Sequence, residues 1–563
     1  MCEAAGFIEE AVHYALMAAD FALAAALIAR HAGGVMSQGK DKIVLGWLDA
    51  LPVEMVRAHP RLSLTRAWLL SDLFNDGEAT IEPWLQNVEL LLSSKSASST
   101  SKPALLAEGT NKKRFEIDEV EAQKILTNVD ILRANLARRR GDGIQAIALG
   151  QQALKQAPAD LNTRAEILYL LAASYDSIGN LGAASQNYAE SIALNRTAEN
   201  DYFALLITAR LIEVLWVQGQ LHRAQRLFQE LGQIQALQHG PAVGMAYISI
   251  GEVRREWHDL AGAAADLQTG IDLCRPFEAW VMVTLKGIIS LAWVKQAQGD
   301  TAGVLDLLQE MEALDVGEQM PYPTARLAAS QAHLWLAMGN VSAATYWAKS
   351  NGLGADDDLS YLVERDYLVF ARLLIVQNNP DGALVLLKRL LQEAEAGERG
   401  ARIIEIKILQ ALAQQTQGEH SQAVATLEAA IALAEPEGFV RIFIDEGAAM
   451  VTLLKQAASQ GIAPIYIAKL LAASNVGEEK PSAPLAPPLA ADRPTPSAFT
   501  EQLTKRELQT LRLLATELSP TEIASEMVVS VSTVRSYTKA VYSKLNAHSR
   551  VEAIHRAREL GLL

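Results

Sequence analysis

Over residues 527–551 the chain carries Arg535, Lys539, Lys544 and Arg550 and no acidic residue. Arginine and lysine donate N–H groups to phosphate oxygens and to guanine O6 and N7, and a serine hydroxyl can reach either bases or backbone. Spacing decides which of these side chains can act together. At about 100° per residue, a helix over 531–546 places Val534, Tyr537, Val541 and Leu545 on one apolar face. Ser532, Arg535, Ser536, Lys539 and Ser543 then share the opposite face, with no carboxylate among them to repel phosphate. Such a helix suits the major groove of a DNA duplex, the alternative being the solvated face of an ordinary surface helix.

The surrounding residues supply the elements that would hold it. Three pairs of the form Ser/Thr-x-x-Glu occur here: Thr504 with Glu507, Ser519 with Glu522, and Ser549 with Glu552. Each can cap a helix start reciprocally, the hydroxyl accepting from the third amide and the Glu returning to the cap's own N–H. Pro520 follows its cap directly, where a missing N–H is harmless. The pattern predicts helices over 505–517, 520–527, 531–546 and 550–560, with Val528-Val529-Ser530 as the tight turn of a helix-turn-helix.

These residues carry a resemblance. LTKREL at 503–508, SPTEIA at 519–524, VSVSTVRSY at 529–537, KLNA at 544–547 and then Arg550 together resemble the LuxR-type DNA-binding domain across all four helices. The resemblance implies base contacts from Arg535, Ser536 and Lys539, the face reached above by helical arithmetic. It implies phosphate contacts from Thr521, Ser532, Thr533 and Lys544, double-stranded DNA as the partner, and a homodimer on DNA formed through the last helix, where Ile554, Ala557 and Leu560 are available. Glu517, Tyr537 and Ala547 depart from the family's usual Gly, His and Val.

At 563 residues and with half of them hydrophobic, the chain needs more than one compact core or an extended solenoid. Its net charge of −15 would argue against nucleic acid, but residues 501–563 hold nine Lys/Arg against seven Asp/Glu, leaving about −17 on the rest. A local basic stripe matters more for phosphate contact than the sum. Before residue 470 a turn recurs about every 40 residues between apolar stretches rich in Ala and Leu, at Gly141, Gly179, Gly219, His258, Gly299, Gly339, Asn379 and Gly418. Gly and Asn enter the left-handed backbone region cheaply, as a helix end requires. The prediction is an all-α chain: a tetratricopeptide-like helical solenoid over 1–470, a Pro-rich linker over 471–500 and a four-helix LuxR-type domain over 501–563. Residues 93–113, rich in serine and lysine, read as a polar surface loop. Pro481, Pro484, Pro487, Pro488, Pro494 and Pro496 make a semi-extended tether, suited to setting the accessibility or pairing of the last domain.

The solenoid extends the resemblance to the MalT-like large regulators. FIEEAV at 7–12, DFALAA at 20–25, WLDALP at 47–52 and HPRL at 59–62 look like the start of that family's repeat region. EPEGFVR at 435–441 and DEG at 445–447 are similar to its closing segment. The nucleotide-binding switch domain that precedes this region in the family is not among the 563 residues. The resemblance implies a transcription regulator that senses an effector or protein through its solenoid and engages the transcription machinery. A tetratricopeptide-like interaction scaffold with a non-reading terminal domain is the alternative.

No residues point to catalysis, a cofactor or a metal. GVMSQGK at 34–40 mimics a phosphate loop, but helix-forming residues precede it and Asp41 stands where the magnesium-binding hydroxyl belongs. The ten histidines show no zinc spacing, and the triplet Asp356, Asp357, Asp358 reads as a solvated loop. Cys2 and Cys274 cannot build a disulfide framework, the first residues are acidic where an export signal is basic, and no stretch is long enough to span a membrane. A cytoplasmic protein is expected.

Overall fold

The computed structural model describes residues 7–36, 40–74, 78–96, 117–157, 160–231, 240–277, 280–314, 321–474 and 505–515, and beyond these Ile523, Val534, Thr538, Val541, Tyr542, Arg550, Arg556 and Ala557. Among them every regular element is helical. The chain forms two compact units, Met1–Glu479 and Lys480–Leu563.

The first unit opens with α1 (Ile8–Met17), α2 (Phe21–Met36), α3 (Asp41–Asp49), α4 (Val53–Arg57), α5 (Pro60–Phe74) and α6 (Glu78–Ser96). Antiparallel pairs follow: α7 (Glu119–Arg139) with α8 (Gly143–Gln156), α9 (Leu161–Ser177) with α10 (Leu181–Thr197), and α11 (Asp201–Val217) with α12 (Leu221–Leu231). Then come α13 (Pro241–Glu256) with α14 (Leu260–Cys274), α15 (Val281–Ala297) with α16 (Thr301–Ala313), and α17 (Pro321–Ala337) with α18 (Val341–Ser350). The last pairs are α19 (Glu364–Val376) with α20 (Pro380–Ala396) and α21 (Gly400–Gln417) with α22 (His420–Ala434). Short α23 (Arg441–Ile444), α24 (Ala448–Ser459) and α25 (Pro464–Ser474) close the unit.

The turn inside each pair has a common chemistry. A residue at positive φ ends the first helix: Gly141, Gly179, Gly219, His258, Gly299, Gly339, Asn378 or Gly418. The predicted turn residue Asn379 is thus displaced by one. Asn378 takes φ +61°, and Asn379 instead caps α20 by accepting from the Gly382 amide at 3.2 Å. The same cap follows five of the other seven turns, at Asp142, Asn180, Asp259, Asp300 and Asn340, each accepting from the amide three residues on, whereas Glu419 after Gly418 makes no such bond. A left-handed residue satisfies the carbonyls of the outgoing helix and the next side chain an amide of the incoming one, so both helix ends are closed within two residues.

Three expectations shift at their edges. Helix α6 runs to Ser96, past the start of the loop expected over 93–113, and residues 97–116 lie outside the described ones. Helix α25 runs to Ser474, into the segment assigned as linker from 471, because the first helix-breaking proline is Pro481. The loop at 356–358 is more than solvated: Asp357 Oδ2 accepts from the Gly354 amide and the Tyr367 hydroxyl, both at 2.7 Å, tying the loop to α19.

The solenoid folds back on itself. Leu181 N donates to Gly397 O at 3.3 Å, and Arg399 Nη1 to Gly179 O at 3.1 Å. Further along, Val440 N donates to Glu256 O at 3.0 Å, Trp257 Nε1 to Glu437 O at 2.8 Å and His222 N to Glu437 Oε2 at 2.9 Å. One apolar core consequently draws on both regions, joining Tyr188, Leu211 and Val253 to Leu386, Leu409, Phe439 and Phe443. Gly179→Ala is therefore expected to destabilise the unit more than Gly339→Ala. Both glycines hold φ near +78°, a conformation that costs an L-residue about 1–2 kcal/mol. Only at Gly179 would a Cβ collide, 2.7 Å from Tyr361 Cγ and 2.8 Å from Arg399 Nη1, whereas at Gly339 it meets nothing. Urea midpoints of the two variants read the difference, and equal midpoints would contradict the fold-back packing.

Candidate nucleic-acid interface and the charged interior of the solenoid

In the carboxyl-terminal unit α26 (Lys505–Leu514) is described, ending three residues before the expected 517, with Ala515 turning away as its amide meets Leu511 O and Arg512 O. Thr510, Leu511, Leu514, Ile523, Val534, Val541 and Ala557 are all buried, at 4% exposure or less. Val534 and Val541, seven residues apart and both helical, are two of the four residues assigned to the apolar face of the 531–546 helix. Tyr537 and Leu545, the other two, lie outside the described residues. So do all the assigned contacts: Arg535, Ser536, Lys539, Thr521, Ser532, Thr533 and Lys544.

Two further positions depart from expectation. Ala557, available to a partner copy on the sequence reading, is fully buried. Arg550, counted with the basic stripe, donates from Nε to Leu514 O at 2.8 Å and so engages the carboxyl end of α26. Helix ends leave carbonyls without amide partners, and a nearby Arg is the general signal for such a contact.

Inside the solenoid, buried charges from several helices meet. Arg372 on α19 contacts Glu405 Oε1 on α21 at 2.8 Å and Glu446 Oε1 at 2.5 Å. Arg399 pairs with Glu364 at 2.8 Å, and Arg402 pairs with Glu405 while its guanidinium lies over the Trp216 ring. Burial works to raise the Glu405 carboxyl, but Arg402 and Arg372 outweigh it and pull the pKa down to about 2. Glu446, equally buried and with Arg372 opposing, is pushed up from its ordinary value. His333, its ring tilted against Trp293 at 4.5 Å, is held well below the usual histidine range by burial and by Arg372. Arg255 pairs with Asp445, which also holds Arg441.

Glu256 is a titratable member of the fold-back contact whose carboxyl is buried. Its Oε1 accepts from Ile442 N at 2.8 Å. Burial raises its pKa to about 7 against the opposing charge of Arg255. A carboxyl raised in the folded state favours folding below its unfolded value near 4.5, and that advantage is lost as pH rises through about 7. The wild type is therefore expected to lose on the order of 1–3 kcal/mol of stability between pH 5 and pH 8 relative to Glu256→Gln. Urea unfolding at the two pH values reads this, and an identical pH dependence in both chains would contradict it.

The phosphate-loop lookalike is interhelical. Gly34 lies in α2, Lys40 precedes α3, and Lys40 Nζ pairs with Glu9 Oε1 at 2.6 Å. Residues 37–39 lie outside the described ones, and helix α2 precedes the segment where a phosphate loop needs a strand. Among the described residues no helix is long and apolar enough to cross a membrane.

Comparison with known proteins gives two family matches. Residues 127–460 match the MalT-like TPR region, and residues 501–557 match the bacterial regulatory proteins of the luxR family. The HTH-type transcriptional regulator MalT of Yersinia pestis (strain Pestoides F) is 23% identical, over 99% of this chain and 60% of its own length. That of Yersinia enterocolitica serotype O:8 / biotype 1B (strain NCTC 13174 / 8081) is 24% identical over the same shares. The chain thus spans about three fifths of the length of these curated relatives. Solved structures that align with it include the apo form of RapI, at 11% identity over 70% of this chain and 96% of that one, with a TM-score of 0.39. Yeast Tom70 aligns at 14% identity over 83% of this chain and 99% of its own, with a TM-score of 0.32.

Proposed function

Since this chain belongs to the family with a MalT-like TPR region, we propose that it is a sequence-specific DNA-binding transcription regulator governed through its helical solenoid. The luxR-family match over residues 501–557 carries this reading. Burial of Val534 and Val541 supports it, since it is the side the helical arithmetic turns inward. The opposite side then offers Arg535, Ser536 and Lys539 to base edges, with Thr521, Ser532, Thr533 and Lys544 on the phosphates. The relatives named MalT are HTH-type transcriptional regulators, and the same work is proposed here. It would be carried out in the cytoplasm by a dimer on its operator, in contact with the transcription machinery, with an effector or protein sensed by the solenoid. The Pro-rich segment that follows α25, up to residue 500, serves as tether, and no catalysis is assigned.

A salt titration of the full chain on random duplex DNA tests the reading. Binding is expected, with log K falling against log salt by about 0.9 per phosphate neutralised. No binding at low salt would favour the scaffold alternative.

A further inference from the structure

We propose that Arg550 is a positioning residue for the DNA-reading helix and not a phosphate contact. The proposal rests on the DNA-reading function above and assigns to a member of the basic stripe a different task.

Arg550 Nε donates to Leu514 O at 2.8 Å across 36 residues of sequence. Leu514 is the last residue of α26. Its carbonyl belongs to the final turn, where a helix lacks amide donors and carries partial negative charge. A guanidinium there satisfies an acceptor and complements the dipole at once. Arg550 also acts on the reading helix: the Tyr542 phenol is raised by burial, and the Arg550 charge opposes that rise. One partly buried side chain therefore bonds the end of α26 while its charge is felt at Tyr542, next in sequence to the fully buried Val541.

The apolar stripe of Val534 and Val541 holds that helix against the core, but such contacts are non-directional and leave roll and slide about the stripe weakly fixed. A hydrogen bond to a helix end is directional. Base reading requires donors held within about 0.5 Å of their productive positions, so the bond fixes the pose that Arg535 and Lys539 need.

The test uses the full chain, with duplexes enriched from a random library by the wild type and random duplexes of the same length, in the cold and across a salt series. Arg550→Gln is expected to keep the wild-type salt slope and random-duplex affinity, and to lose about ten-fold of its preference for the enriched duplex. Arg550→Lys, which keeps a cation at the helix end, should recover part of that preference. A slope reduced by about one, with both duplexes weakened alike, would mark a phosphate contact and overturn the proposal. A lower melting temperature with slope and preference unchanged would show a purely structural bond and overturn it too. A wild type that enriches no sequence removes the DNA-reading function, and this role with it, before any substitution is compared.

Discussion

The Arg372→Met chain is expected to unfold about 3–5 kcal/mol more readily than the wild type. Arg372 faces two carboxylates, Glu405 and Glu446, and all three side chains are at most 10% exposed. Removing the cation leaves negative charge in a region water does not reach, which costs far more than the ion pair itself contributes. Glu405 keeps Arg402 as a partner, so the main loss falls on Glu446. That carboxyl is already raised in the folded state, and without Arg372 it rises further. The deficit should therefore be smallest at acidic pH and grow as pH climbs, since a raised carboxyl forfeits folding free energy only where the unfolded chain ionises. The double variant Arg372→Met/Glu446→Gln should recover more than half of the loss. Urea unfolding followed by tryptophan fluorescence measures all three chains, and a single-variant cost below about 1 kcal/mol would place the network in contact with solvent.

At the other end of the chain, Arg535→Ala and Lys539→Ala are each expected to cost about 1–3 kcal/mol of binding to a preferred duplex, roughly ten- to a hundredfold in affinity, and to relax the base preference at one position. Lys544→Ala should behave differently. A phosphate contact carries no sequence information, so all duplexes weaken alike and the salt slope falls by about one. Quantitative gel shifts on enriched and random duplexes separate the two patterns. Unchanged base preference in both Arg535→Ala and Lys539→Ala would reject the assignment of the reading face.

Local structure was legible in the sequence where a single residue type has few conformational options. Gly141, Gly179, Gly219, Gly299, Gly339 and Gly418 all mark left-handed turns, and even His258 takes φ +67°. Asn378 and Asn379 suit both the left-handed site and the cap, so the turn between them was misplaced by one. Turns between pairs were harder to see, because Glu199 and Glu398 hold positive φ without any residue-type signal. The fold-back was invisible for another reason. It joins residues about 180 to 220 apart, and helical periodicity carries no information over that separation. Nothing in the sequence singles out Arg372, Glu405 and Glu446, because burial of an ion pair depends on the helices that pack around it. In the terminal unit the inward residues Val534 and Val541 followed from spacing, whereas the bond from Arg550 to Leu514 O depends on tertiary approach and does not.

Selection of duplexes from a random library by the intact protein tests the central claim most directly. One motif is expected to be enriched, and its enrichment should disappear in a chain carrying both Arg535→Ala and Lys539→Ala while salt-sensitive binding persists. Recovery of an unenriched pool by the wild type, or of the same motif by the doubly substituted chain, would contradict it.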